Sequence, residues 1–196
     1  MVQYRDGHPM CSNLGDRRVI YLYTKGNHWG QWVYQFAHEY CHHLINGEMS
    51  GAFRGLLWFE EVLCELASRF VIEQLSDESI CVQWGLQRAY PVLQYYHDTC
   101  LGVDENLAQE FDRNGSLVPW LPLLSVPPYQ RDHYSVIARK MLPVFLESPY
   151  LWRIIGLVGD LRYHESLEEL FLHLESRIEK DQAPYLLKIR ALLLGR

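Results

Sequence analysis

Residues 28–46 read HWGQWVYQFAHEYCHHLIN, and this stretch decides how the chain is organised. Apolar residues recur in it at intervals of three and four, and polar side chains stand between them, which is the pattern of an amphipathic helix. The pair Asn46-Gly47 is typical of a helix end, because glycine readily adopts the left-handed conformation that closes a helix. We therefore predict a helix from His28 to Asn46. Its predicted buried face comprises Trp29, Trp32, Val33, Phe36, Ala37, Tyr40, Cys41, Leu44 and Ile45.

The polar face of this helix carries the pattern His-Glu-x-x-His, formed by His38, Glu39 and His42. Two histidines four residues apart lie one turn apart on the same face, so both imidazoles can reach one zinc ion. Glu39 stands beside them, where it can take a proton from a metal-bound water. These are the residue types of a catalytic zinc site. The alternative is an ordinary solvated polar face.

A second predicted helix, from Leu56 to Leu75, offers the further ligand that such a site needs. Catalytic zinc takes a third protein ligand and leaves its fourth position to water. Glu61 is separated from His42 by eighteen residues and lies on the polar stripe of the second helix. Cys64 lies on the same stripe. Apolar packing is its expected role, with a thiolate ligand as the alternative.

This arrangement resembles the gluzincin metallopeptidases, the thermolysin-like and aminopeptidase-like group. In that group HExxH is followed, after about eighteen residues, by a glutamate within a helix. Residues 58–66, WFEEVLCEL, look like the aminopeptidase-type third-ligand helix, commonly WLNEGFAEY. The resemblance covers Arg18 to Phe70 and departs from the family pattern at Glu60 and Val62, where Asn and Gly are usual.

The resemblance implies a role for each matched residue. His38, His42 and Glu61 would bind one zinc ion, and Glu39 would be the general base. Glu65, one turn after Glu61, would accept the outer N–H of a ligating imidazole and fix the orientation of the ring.

Stabilisation of the oxyanion needs a donor from later in the chain. The candidates are His133, Tyr134, Tyr150, Tyr163 and His164. We favour His133 and Tyr134, which lie at the start of a predicted helix after a proline-rich stretch. The alternative for this pair is a surface turn.

Outside the motif, the pattern predicts a small sheet and many helices. Arg18 to Thr24 (RVIYLYT) is the clearest strand, and Val2 to Arg5 is a second short one. The resemblance makes Val19 to Thr24 the edge strand that lies above the metal and pairs with an extended substrate. Further helices are predicted over residues 82–99, 105–113, 131–147, 150–161, 166–180 and 183–194. Four prolines confine residues 114–130 to irregular structure, either a lid or a packed crossover.

The expected fold class is α+β and mostly α-helical, with a small N-terminal sheet remnant, two zinc-ligand helices and a helical C-terminal half, as in a zincin-like fold. One domain is predicted over residues 1–196. Residues 1–76 would carry the strand and the metal-ligand helices, and residues 77–196 a helical subdomain.

The charge and composition of the chain argue against some classes of binding partner. The 196 residues carry a formal charge of −6 without a cluster of Lys and Arg, which argues against nucleic acid or an anionic membrane as partner. No apolar run approaches the length of a membrane helix, and the first ten residues lack the pattern of a secretory signal. Five widely spaced cysteines predict reduced thiols and a cytoplasmic location.

Together these features predict a zinc metallopeptidase with one Zn²⁺ and a peptide or protein substrate. The short segment before the first motif helix leaves room for a small sheet only, which favours an open cleft and extended peptides. A non-catalytic, zinc-stabilised binding or sensor module is the alternative, and a metal-free helical interaction domain is a third. Glu39 favours the enzyme, because a structural zinc site has no use for a base.

Overall fold

A computed structural model describes residues 1–14, 17–46, 56–126, 130–158 and 166–195. The strands are β1 (Val2–Tyr4), β2 (Met10–Leu14) and β3 (Arg17–Leu22). The helices are α1 (Trp29–Asn46), α2 (Leu57–Leu75), α3 (Glu78–Gln83), α4 (Tyr90–Cys100), α5 (Glu105–Asn114), α6 (Leu121–Leu124), α7 (Arg131–Glu147), α8 (Ile155–Val158), α9 (Leu167–Arg177) and α10 (Ala183–Leu194), with 3-10 helices at Val118–Trp120 and Pro149–Ile154. The predicted class, α+β and mostly helical with a small sheet, is confirmed. The zincin-like fold and the single domain stay predictions.

The three strands form one sheet in the order β1-β3-β2. β1 runs parallel to β3, with Val2 opposite Ile20, and β2 runs antiparallel to β3, with Cys11 opposite Ile20. The strand predicted to lie at the edge is therefore the central one, and that prediction was wrong. The reason is β2, whose sequence MCSNL has too little β-branched or aromatic character to be recognised as a strand.

Contacts between Cα atoms divide the chain into two units. The first contains Met1–His43 and Ala67–Gly102, and the second contains Leu44–Leu66 and Val103–Arg196. The division crosses α1 after His43 and α2 after Leu66, so each of these helices contributes residues to both units.

In the first unit, the C-terminal half of α2 packs against α3 and α4. Its core cluster is formed by Ile72, Leu75, Cys81 and Leu93, with Val33 of α1 and Tyr96 of α4 among the residues packed against it. Gly30 allows α1 and α4 to approach closely, because a Cβ atom added there would lie 2.4 Å from the Cβ and Cγ atoms of Tyr96.

In the second unit, α7 is the central element, in contact with α5 and α10. Its buried face comprises Tyr134, Val136, Ile137, Ala138, Met141 and Phe145. Ion pairs fix its outer side, for example Arg139 with Glu105 at 2.8 Å and Lys188 with Glu147 at 2.7 Å. These pairs are exposed, so burial of the apolar face supplies most of the stabilisation.

The predicted burial of α1 was partly wrong. Four residues predicted to be buried are exposed: Trp29, Phe36, Tyr40 and Leu44. The rings of Phe36 and Tyr40 stack on each other at 5.5 Å. Instead Gln35 and Glu39 are buried. The apolar side chains of this helix cover a wider arc than the core does, so their spacing alone does not say which of them face inward.

α2 is buried on nearly every side. The predicted apolar positions Phe59, Val62 and Leu63 are buried, although Leu57 is exposed. Most of the polar stripe is buried as well, including Glu60, Glu65 and Ser68, whereas Glu61 is half-buried. Buried carboxylates require partners, and such groups cluster at functional sites. α2 is therefore a candidate location for a functional site.

Most later helices match their predictions, and the exceptions have local causes. The predicted helix 82–99 is two helices, α3 and α4, because Gly85 adopts a φ of +71° and Pro91 lies in the first turn of α4. Residues 150–158 are first 3-10 and then α-helical, and residues 159–161 of that prediction lie outside the described residues.

The prediction of irregular structure over residues 114–130 was wrong for the described part, residues 114–126, which contains the 3-10 helix Val118–Trp120 and α6, because proline is tolerated in the first turn of a helix. This part is a packed crossover. Leu117, Trp120 and Leu124 are buried, and the indole Nε1 of Trp120 donates a hydrogen bond to Glu110 at 2.7 Å. Residues 127–129 lie outside the described part.

Within the described ranges, no helix taken singly has the length and hydropathy to cross a membrane. Arg131–Glu147 and Pro149–Val158, which meet at a bend of 116°, pass that test of length and composition only as a pair.

Candidate metal centre

α1 brings the two motif histidines together on one face. Their ring centroids lie 5.0 Å apart, edge to face, as expected for positions one helical turn apart. Both side chains are half-buried, whereas Glu39 between them is 6% exposed. The motif predicted both histidines on one face, whereas the burial of Glu39 was not predicted.

Among the described residues, His38, His42 and Cys64 form a group that could hold a metal ion. One ligand atom from each, two imidazole nitrogens and the Cys64 sulfur, lies within 4.8 Å of the others. Imidazole nitrogen and thiolate sulfur are common ligands of transition metals, so the donor set fits such an ion. Cys64 is fully buried.

The predicted third ligand, Glu61, is not a member of this group among the described residues. It is half-buried on α2 and lies one turn before Cys64 and Glu65. Its assignment as a ligand stays a prediction. Cys64 was the less favoured alternative, because a lone cysteine within a helix more often packs as a small apolar residue than ligates a metal. The only signal in the sequence was its spacing of three residues from Glu61, which keeps both side chains on one helix face.

Glu65 is 3% exposed, and its Oε1 accepts a hydrogen bond from the hydroxyl of Ser135 on α7 at 3.0 Å. Sequence reasoning missed Ser135, since a lone serine seventy residues away carries no pattern. The predicted role of Glu65 behind a ligating imidazole stays a prediction.

Of the predicted oxyanion donors, Tyr134 lies close to the acidic stripe of α2. It is buried, and burial raises the pKa of its hydroxyl; a backbone hydrogen bond at Gln130 opposes this, and the charge of Glu61 raises the pKa further. The hydroxyl therefore keeps its proton at neutral pH and can donate.

The neighbours of His133 differ from those of Tyr134. Its ring meets the indole of Trp120 at 4.7 Å, edge to face. Burial lowers the pKa of His133, against the opposing charges of Glu110, Asp132 and Asp104. None of these neighbours belongs to the metal group or to α2.

Tyr150, a further candidate, is exposed and lies under the guanidinium of Arg153 at 5.3 Å. The last two candidates, Tyr163 and His164, lie outside the described residues.

The edge strand β2 lies beside the motif turn of α1. The sulfur of Cys11 is 3.7 Å from Nδ1 of His43. Burial raises the pKa of the Cys11 thiol, the charge of Glu39 raises it further, and His42 and Arg18 oppose the shift. The Cys11 thiol therefore lies close enough to Glu39 and His42 for their charges to change its pKa. β2 pairs with β3 along one edge, and within the described sheet it has no partner along the other.

Comparison with known protein families, with curated proteins and with solved structures found no match for this chain. The gluzincin resemblance stays a prediction carried by the two motif segments.

Proposed function

We propose that this chain is a zinc-dependent peptide hydrolase of the gluzincin type, in which His38 and His42 hold the metal and Glu39 is the general base. The observation that carries the proposal is the His38, His42 and Cys64 group, whose ligand atoms lie within 4.8 Å of one another beside a buried glutamate.

The donor set suits zinc. Zinc accepts imidazole nitrogen, thiolate sulfur and carboxylate oxygen, and three protein ligands leave a fourth position open. The third ligand is Cys64 by proximity and Glu61 by resemblance. His38 and His42 are common to both ligand sets, so the proposal does not depend on this choice.

Each residue has one task in hydrolysis. A bound zinc ion would supply a Lewis acid that polarises the scissile carbonyl. Glu39 takes a proton from the attacking water and passes it to the leaving amine. Tyr134 donates its hydroxyl proton in a hydrogen bond to the oxygen that becomes negative, and its raised pKa keeps that proton in place.

The sheet supports an extended peptide as substrate. β2 is one of the two edge strands of the described sheet and lies beside the motif, so its backbone can pair with an extended peptide, the role expected of β3. The proposal includes a peptide or protein as the substrate. It also includes a cytoplasmic location for the protein.

A single substitution tests the catalytic role. Glu39→Gln should keep the wild-type zinc content and lower the cleavage of a mixed peptide library by a factor of about 10² or more, because the base is lost while the ligands remain. Glu110→Gln is the matched control, a half-buried glutamate in the second unit that should leave both measurements unchanged. Equal cleavage by wild type and Glu39→Gln would refute Glu39 as the base.

Cys64 also supports a second candidate function, a non-catalytic module in which the metal stabilises the fold. Thiolate ligands are frequent in structural zinc sites, and Cys64 is fully buried. This candidate predicts stoichiometric zinc, no peptide cleavage and loss of folding on chelation. Peptide cleavage that disappears with Glu39→Gln would exclude it.

A further inference from the structure

The contact between α7 and α2 suggests a function beyond packing. Ser135 donates its hydroxyl to Oε1 of Glu65 at 3.0 Å. Glu65 is 3% exposed, so this carboxylate has exchanged water for protein partners. Hydrogen bonds to a buried carboxylate are stronger than those between neutral groups, and they fix its position.

The contact lies at the turn of α2 that carries the candidate ligands. Glu65 directly follows Cys64 and is one turn after Glu61. Tyr134, next to Ser135, is near enough to Glu61 for its charge to raise the pKa of the tyrosine hydroxyl. Ser135 therefore contacts Glu65 of α2 directly, and its neighbour Tyr134 is influenced by the charge of Glu61, one turn earlier on α2.

We infer that Ser135 is a positioning residue for the metal centre. Its hydroxyl holds the Glu65 carboxylate, and so fixes the turn of α2 that carries Cys64, a member of the group that could hold a metal ion. Carboxylates that support metal ligands in this way change metal affinity by about 10-fold to 100-fold when they are lost. Ser135 acts indirectly, through its hydrogen bond to Glu65. The inference rests on the proposed function, because it requires the metal site.

The test compares zinc affinity with stability in four forms of the full chain. Competition with a chromophoric chelator gives the Kd for zinc, and thermal unfolding of the chelator-treated protein gives the Tm. Ser135→Ala should weaken zinc binding by about tenfold. Ser135→Thr keeps the hydroxyl and should restore the wild-type Kd.

Ser148→Ala is the matched control. Ser148 is buried just after the C-terminal end of α7, and its hydroxyl bonds Oε1 of Gln182 at 2.5 Å. The control removes a buried serine hydrogen bond of the same kind, so it should lower the Tm without changing the Kd.

The outcomes separate the inference from the proposed function. An unchanged Kd in Ser135→Ala, with zinc bound by wild type, overturns the role of Ser135 alone. A Kd that rises equally in Ser135→Ala and Ser148→Ala also overturns it, because the effect would then reflect general loss of packing. Wild type that binds no zinc overturns the proposed function and the inference together.

Discussion

Two side chains of α2, Glu61 and Cys64, compete for the place of third metal ligand. The sequence motif selects the carboxylate, whereas the structure brings the thiol within 4.8 Å of both histidines. The two differ in chemistry, because a thiolate is a softer ligand and favours a different set of metals. The identity of this ligand therefore decides which metals the site selects.

Cobalt distinguishes the two ligands. With Cys64 as ligand, Co²⁺-loaded wild type should show an intense near-ultraviolet sulfur-to-metal band, and Cys64→Ser should abolish it. Cys41→Ser removes a buried thiol of α1 outside the group and should leave the band intact. Loss of cobalt binding in Glu61→Gln, with no such band in wild type, would instead assign the ligand to Glu61.

The proposed role of Tyr134 as a hydrogen-bond donor can be tested by substitution. Tyr134→Phe removes the proposed donor to the oxyanion and should lower kcat by about 10² while zinc content stays at the wild-type level. His133→Gln is the neighbouring control and should keep kcat, because His133 contacts Trp120. A larger loss of kcat in His133→Gln than in Tyr134→Phe would reverse the assignment.

At the scale of elements, helix positions were largely predictable, whereas burial was not. Local signals set the ends of α1, α7 and α10, so their predicted bounds agree closely with the structure. The exposure of Phe36 and the burial of Glu39 depend on what packs against α1, which is long-range information. The same holds for β2, which is a strand because β3 pairs with it, and for the hydrogen bond between Ser135 and Glu65.

Because α1 and α4 approach closely at Gly30, we expect substitution by alanine to affect stability differently at Gly30 and at Gly156. Gly30→Ala should destabilise the protein by about 1 to 3 kcal/mol, because the new methyl group would overlap Tyr96 at 2.4 Å. Gly156→Ala in α8 should cause no loss, since a Cβ atom there meets no described atom within 4 Å. Urea denaturation of both variants checks this, and equal stability would contradict the packing.

The α2–α4 contact predicts a pH dependence. Nε2 of His97 lies 2.8 Å from Glu73 and Nδ1 lies 2.9 Å from Asp98, so both ring nitrogens face carboxylates. Burial lowers the pKa of His97, but the hydrogen bonds that its ring donates to Asp98 and Glu73 outweigh it, and the net pKa is raised. The stabilisation is therefore complete below the ordinary histidine pKa of about 6.5 and is lost as the pH rises through the raised value.

His97→Gln should remove this dependence. At low pH the variant should lose only about 0.5 kcal/mol through the His97–Glu73 pair, because both partners are partly exposed and screened by solvent. Stability curves between pH 5 and about 8 measure the effect, with His8→Gln as a control at an exposed histidine. A parallel pH dependence in wild type and His97→Gln would refute the contribution of His97.

At the scale of the whole molecule, a metal that binds the folded chain must stabilise it. Zinc at 100 times its Kd should raise the free energy of unfolding by about 2.7 kcal/mol. Unfolding with added zinc, compared with unfolding in a chelator, measures this directly. The same Tm in both would mean that the folded chain does not bind zinc preferentially.

The central claim is that His38 and His42 hold one metal ion, and the metal content of the purified chain tests it most directly. Elemental analysis should find one zinc per wild-type chain and almost none in a variant with both histidines changed to glutamine. His28→Gln, at an exposed histidine before α1, should keep the wild-type content. No zinc in wild type after loading, or equal zinc in the double variant, would contradict the account.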